Sequence, residues 1–145
     1  MSDFLKEMAA SSRARADSVR REFTTADLDR PVFPLRLSGF DGIAEIKNRS
    51  PAEGELATAD GDRCGRASLY VEGGAAAISV LTEPERFAGA LSHLDEVVES
   101  VSASETPVMR KDFLVDPVQI LEAKAAGASG VLLIAAILGD DALKN

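Results

Sequence analysis

Three charged residues stand where a buried strand should stay apolar: Glu45, Lys47 and Lys111. Glu45 and Lys47 belong to the run I-A-E-I-K at 43–47, and Lys111 ends the run V-M-R-K at 108–111. A strand of a parallel sheet is ordinarily apolar to its tip. A charge there is costly unless it faces a mouth where a counter-charge or ligand can meet it. Residues two apart on a strand project from one face, so Glu45 and Lys47 can form an acid–base couple or, more simply, an edge salt bridge. Lys111, partly desolvated behind Val108 and Met109, is suited to act as a general acid. Arg110 and Asp112 have the opposite parity and are expected to face a helix layer as structural charges. The expectation is that Glu45, Lys47 and Lys111 share one mouth.

Other residues could serve the same mouth. The stretch S-P-A-E-G at 50–54 offers a hydroxyl and backbone amides to an anion, or is an ordinary turn. Phe87 and Phe113 follow strand ends and can wall an aromatic ligand or simply pack in the core. Glu83, beside Pro84, is either a second mouth carboxylate or an acid in the first turn of a helix, and the helix reading is the expectation. His93 is expected at the surface. Arg13, Arg15, Arg20 and Arg21 form either a phosphate-seeking patch or a solvated helix face, and the solvated face is the expectation. No metal-ligand spacing, nucleophile elbow or glycine-rich dinucleotide fingerprint occurs. The chemistry implied is acid–base and electrostatic, with no cofactor and no metal.

The elements that must position these residues alternate in type. Residues 2–23 read as an amphipathic helix with Ser2 as N-cap, and 24–41, with Pro31, Pro34 and Gly39, as a connector that wraps something. Strands follow at 43–47, 75–81, 108–111 and 131–137. Helices are expected near 60–72, 88–102 and from Asp116-Pro117 to Gly127, with another beginning at 140–145. The segment G-A-A-A-I-S-V-L at 74–81 echoes G-A-S-G-V-L-L-I at 127–134, an offset of 53 residues. That is two strand–helix units of about 26 residues, the unit size of a barrel with eight units in ~250 residues. The expected class is α/β: residues 1–41 as an N-terminal helix and connector, and 42–145 as about four units, or half, of a (β/α)8 TIM barrel.

Composition narrows the function. A chain of 145 residues suits one domain with a core, and a net charge of −8 disfavours nucleic acid and anionic membranes as partners. Cys64 is the single cysteine, which fits a reducing compartment. No apolar run approaches a membrane span, and residues 1–23 mix acids with arginines and lack an apolar signal region. The expected compartment is the cytoplasm.

The motifs I-A-E-I-K at 43–47, S-P at 50–51 with Gly54, G-G-A-A-A-I-S-V-L-T-E at 73–83 with Phe87, M-R-K-D-F at 109–113, D-P-V-Q-I at 116–120 and G-A-S-G-V-L-L-I at 127–134 together resemble the indole-3-glycerol-phosphate synthase family of tryptophan biosynthesis. The likeness covers most of 42–138, and the leading helix resembles that family's N-terminal extension over the barrel mouth. It implies a carboxy-lyase that converts 1-(2-carboxyphenylamino)-1-deoxyribulose 5-phosphate to indole-3-glycerol phosphate, CO₂ and water. By that resemblance Lys111 is the general acid, Lys47 binds substrate anions and can serve as a second acid, and Glu45 holds and polarises the lysines. Ser50 and Pro51 line an anion loop, while Phe87, Phe113, Leu132 and Ile134 surround the aromatic ring. The first loop departs from the family's K-R-x-S-P-S-x-G at Asn48 and Ala52, which implies weaker loop contacts. The family's general-base glutamate on the fifth strand, its asparagine on the sixth and its phosphate loops after strands seven and eight have no counterpart before Asn145.

Two readings from different classes follow: a synthase or its N-terminal half, and a catalytically silent half-barrel that binds an anionic ligand or a partner chain. A sister phosphoribosyl isomerase fits less well, since it has no need of the paired lysines. A lone half-barrel leaves two strand edges unpaired and its interior wet, so self-association or a C-terminal half-barrel as partner is expected.

Overall fold

The computed structural model describes residues 1–56 and 62–144. Helix α1 (Asp3–Ser18) starts on Ser2, whose hydroxyl accepts the Leu5 amide at 3.3 Å. The periodicity predicts a helix to residue 23, but α1 stops at Ser18 because side chains take its last carbonyls. Ser18 donates to the Arg15 carbonyl at 2.7 Å, and Arg20 donates to those of Asp17 and Val19. Such local bonds offer the backbone an alternative to further helical turns.

The connector meets the helix layer through Arg30. It also holds a short turn unmarked by periodicity, α2 (Thr25–Leu28), with a reciprocal capping box between Thr24 and Asp27. Beyond it Arg30 pairs with Asp95 at 2.6 Å and with Glu99, and the Phe33 amide donates to Ser129 at 3.0 Å.

Then strand and helix alternate. β1 (Ile43–Ile46) leads into a small antiparallel hairpin, β2 (Arg49–Ser50) and β3 (Gly54–Glu55), where the sequence marked only a loop. Gly54 closes its turn at φ +73, in the left-handed region that favours glycine. α3 (Arg63–Glu72) is capped by Asp62 and closed at Gly73, while residues 60 and 61 of the expected helix lie outside the described residues. β4 (Ala77–Leu81) is buried along its whole length. The single turn α4 (Pro84–Phe87) precedes α5 (Leu91–Val101). β5 (Val108–Lys111) is followed by α6 (Pro117–Ala125), which opens on an Asp116–Gln119 capping box with Pro117 in its first turn. β6 (Gly130–Val131) and α7 (Asp140–Lys144) complete the described chain.

The sheet is parallel throughout, in the order β1-β4-β5-β6, with Glu45 beside Ser79 and Leu81 beside Lys111. One face carries Ile46, Ile78, Val80 and Val108 against Leu94, Val97 and Val101 of α5 and Ala123 of α6, which is the core. The other face is the concave side of a four-strand arc. The fourth strand corrects the expected span of 131–137. Pairing with β5 extends only through the Leu132 amide, which donates to the Arg110 carbonyl at 3.0 Å, and the chain turns at Ala135–Leu138. With one neighbour instead of two, nothing holds residues 133–137 extended.

Arg13 is exposed, as expected of a solvated face, but Arg15 is not and departs from that expectation. Met8, Ser12 and Ala16 are buried. Arg15 grips Asp112 through both terminal nitrogens (2.8 and 3.0 Å), and Arg13 reaches Asp116 (2.8 Å) and the Val115 carbonyl (2.7 Å). The Gln119 amide donates to the Ser12 hydroxyl at 2.8 Å. Arg13 and Arg15 therefore dock the helix beside the C-terminal ends of the strands.

Candidate functional site

The alternation of β5 decides what its tip presents. Val108 and Arg110 are buried toward the helices, whereas Met109 and Lys111 face the concave side. On β1 and just past its end, Glu45 and Lys47 share that concave face. Across the intervening strand the three charges meet: Lys111 Nζ donates to Glu45 Oε2, and Lys47 Nζ lies 3.3 Å from Glu45 Oε1. Glu45 thus bridges two lysines, one with each oxygen. Burial raises its pKa, but the hydrogen bond and charge of Lys111, then those of Lys47, outweigh burial and hold the carboxyl below its ordinary range. The site is charged yet open, since the side chains of Lys111, Glu45 and Lys47 remain 38, 29 and 24 % exposed.

These residues line a cavity of about 110 Å³ at the strand ends, together with Phe87, Phe113, Leu132, Ile134, Leu81 and Asp112. Phe87 and Phe113 lie with ring centroids 6.2 Å apart, and Phe4 of α1 meets the edge of Phe113 at 5.9 Å. The aromatic wall is thus Phe87 and Phe113, with Phe4 packed on Phe113 but not on the lining. Ser50 and Pro51 are not on this lining. Ser50 is buried and its hydroxyl accepts the Ala52 amide at 3.3 Å, while Pro51 is exposed in the hairpin turn. That turn instead brings Glu53 to 3.8 Å from Lys47, a neighbour that nothing in the local pattern announces. Asn48, one of the two departures from the family's loop pattern, and its neighbour Arg49 are tied down: Asn48 donates to the Ala88 carbonyl at 3.1 Å, and Arg49 to those of Arg86 (3.2 Å) and Glu85.

The outward side of the same tip is built differently. Asp112 accepts from both terminal nitrogens of Arg15, from Arg110 (3.0 Å), from the Thr82 hydroxyl (2.8 Å) and from the Phe113 amide (2.8 Å). Burial raises the Asp112 pKa, but Arg15 above all, then Arg110 and Thr82, hold it below the ordinary value of 3.8. Arg110 also donates to Thr82, to the Gln119 carbonyl and to Glu122. These are the structural charges that strand parity predicts. Glu83 is a helix acid of a specific kind: buried, it caps α4 by accepting the amides of Glu85, Arg86 and Phe87. Its cap holds the turn that carries Phe87. His93 is partly buried on α5, and burial, then Arg63, hold its pKa below the ordinary value against the opposing pull of Glu96.

Among the described residues no three His, Cys, Asp or Glu side chains are grouped to hold a metal ion, and no helix is long and apolar enough to cross a membrane. The arrangement, two ammonium groups, a bridging carboxylate and an aromatic wall, can donate protons and offer positive charge beside an apolar surface.

Parallel strands with helical crossovers and charges at the strand tips are consistent with part of a (β/α)8 barrel. The family model described as indole-3-glycerol phosphate synthase matches residues 6–145. Among similar proteins, the indole-3-glycerol phosphate synthase of a Nocardioides species is 47 % identical over 143 residues, covering 90 % of this chain and 54 % of that protein. That of a Parafrankia species is 54 % identical over 104 residues, covering 72 % of this chain and 37 % of the relative. The Lacticaseibacillus casei protein of the same name is 40 % identical over 153 residues, covering 97 % and 57 %. The chain belongs to the indole-3-glycerol phosphate synthase family, and it spans about half the length of the curated relatives it matches.

Proposed function

We propose that this chain carries the acid side of an indole-3-glycerol-phosphate synthase site, acting on 1-(2-carboxyphenylamino)-1-deoxyribulose 5-phosphate in tryptophan biosynthesis. The observation that carries the reading is the meeting of Lys111 and Lys47 on Glu45, in the cavity that Phe87, Phe113, Leu132 and Ile134 also line.

In this reading Lys111 protonates the ribulose carbonyl oxygen as the ring carbon bearing the carboxylate attacks the carbonyl carbon. The electrons of the bond to the departing CO₂ restore the aromatic ring. The hydroxyl left by the first protonation must then leave as water, which needs a second proton, and Lys111 or Lys47 supplies it. General-acid assistance of this kind contributes roughly 10²–10⁴-fold. Glu45 orients both ammonium groups, and Lys47 meets the substrate's negative charge. The aromatic wall takes the anthranilate ring, and Ser50 and Pro51 act from the neighbouring hairpin as a second layer of the anion loop. Residues 1–41 serve as an extension docked on a barrel half made by 42–145. The opposing base and the phosphate grip come from the second half of the fold, in the same polypeptide or in a partner. The free Cys64 and the biosynthetic family support a cytoplasmic setting.

The test is indole fluorescence from purified 145-residue protein supplied with the substrate, alone and with the C-terminal half of a relative added. Product in either mixture that disappears in Lys111→Met supports the reading. A folded protein that yields no product in both mixtures overturns it.

A further inference from the structure

A second concavity, of about 440 Å³, lies on the outward side of the strand tips, between the end of α1 and the starts of α4 and α5. Its polar lining includes four guanidinium groups, Arg15, Arg20, Arg21 and Arg110, against one carboxylate, Glu122. Counting the carboxylates just outside the lining, Asp112 and Asp27, three of the four arginines are paired and Arg20 is left over among the described residues. Arg110, whose side chain is all but 4 % buried, is committed to Asp112 and Glu122. Arg15 spends only its terminal nitrogens on Asp112, and its buried Nε has no hydrogen-bond partner among the described residues. Arg21 shares Asp27. Arg20 donates to the backbone carbonyls of Asp17 and Val19 and, among the described residues, has no carboxylate partner.

Capping the end of α1 accounts for the position of Arg20. It does not account for the buried Nε of Arg15, unpartnered among the described residues, which lines the same cavity as the exposed Arg20 and Arg21 and would be satisfied by an entering anion. Guanidinium forks match phosphate and carboxylate oxygens. A cavity ringed by low-dielectric walls focuses that potential, while the acidic remainder of the surface turns anions away. The volume lies in the range of metabolite pockets, and Val19 and Leu91, which also line the space, offer an apolar surface to the organic part of such an anion. We propose that this cavity binds a small phosphate- or carboxylate-bearing metabolite at a site separate from the Lys111 cavity.

The experiment is a titration of the 145-residue protein with inorganic phosphate, and in parallel with acetate, followed by two-dimensional NMR at the Arg20 and Arg21 side chains and the amides of residues 18–21 and 89–91. Saturable shifts at these positions, absent with sodium chloride at matched ionic strength, are expected. The anion giving the tighter curve identifies the headgroup. In an Arg20→Gln/Arg21→Gln double variant the affinity should fall about tenfold or more, the loss expected for charge-assisted hydrogen bonds, and in Lys111→Met it should hold. Both arginines are exposed, so the variant's spectrum should keep the parent's dispersion, and Arg20→Lys should retain part of the binding. Shifts that never saturate with either anion, that centre on Lys47 and Lys111, or that persist unchanged in the double variant would overturn the proposal.

Discussion

The two sides of the β5 tip are one residue apart and opposite in design. Outward, Asp112 is fully buried, saturated by two arginines, a hydroxyl and an amide, and closed to solvent. Inward, Lys111 meets one carboxylate, stays more than a third exposed and borders an open cavity. A charge on a strand tip is therefore not in itself a sign of chemistry. What separates the two is spare capacity: the outward charge has spent its hydrogen bonds on the fold, and the inward one retains donors for a ligand.

Substitution should pull the two sides apart. The largest effect expected is that of Lys111→Met on indole formation, a fall of about 10²–10⁴-fold, with a change in unfolding free energy under about 1 kcal/mol because the pair it breaks is solvent-screened. Rate and urea midpoint measured on the same preparation check both halves of that statement. Asp112→Ala should do the converse. It strands Arg15 and Arg110, a loss of about 3–5 kcal/mol of stability for a broken buried pair, read from urea denaturation. If Asp112→Ala unfolds at the parent's midpoint, the contrast between the two sides fails. Glu83→Ala removes the cap from three α4 amides and should cost about 1–2 kcal/mol, with the disorder concentrated around Phe87 in amide-exchange measurements.

The smallest effect expected is in the pH dependence. The carboxyl of Asp112 titrates lower in the fold than its ordinary 3.8. Its contribution is therefore present above about pH 4 and is lost as pH falls through the folded value. The acid slope of stability should flatten in Asp112→Asn, as followed by thermal unfolding between about pH 5 and 2.

Much of this contrast could be read from period-two alternation alone. Parity assigned Lys111 and Glu45 to one face and Arg110 and Asp112 to the other, and Asp116-Pro117 announced α6 because capping is local. The rest depends on partners far along the chain. Nothing near Arg15 points to Asp112, so Arg15 reads as solvated when it in fact docks the helix. The hairpin at 49–55 and the single turns α2 and α4 are too short for periodicity to register. The shortened β6 reflects the number of its neighbours, a property of the sheet and not of residues 131–137. The cavity at Arg20 and Arg21 lies where α1 ends, and side-chain bonds that no helix period encodes mark that end.

The docking of α1 also bears on the order in which the chain can acquire its structure. The Arg15–Asp112 bond joins residues 97 apart, and Ser12 meets Gln119 at a separation of 107. At a synthesis rate of roughly 5–20 residues per second, the partner surface leaves the ribosome about 5–20 s after the helix does. Throughout that interval Met8 and Ala16, buried in the finished fold, face water or a chaperone. α1 is thus made well before it can find its place, and the Phe4–Phe113 contact waits on the later segment.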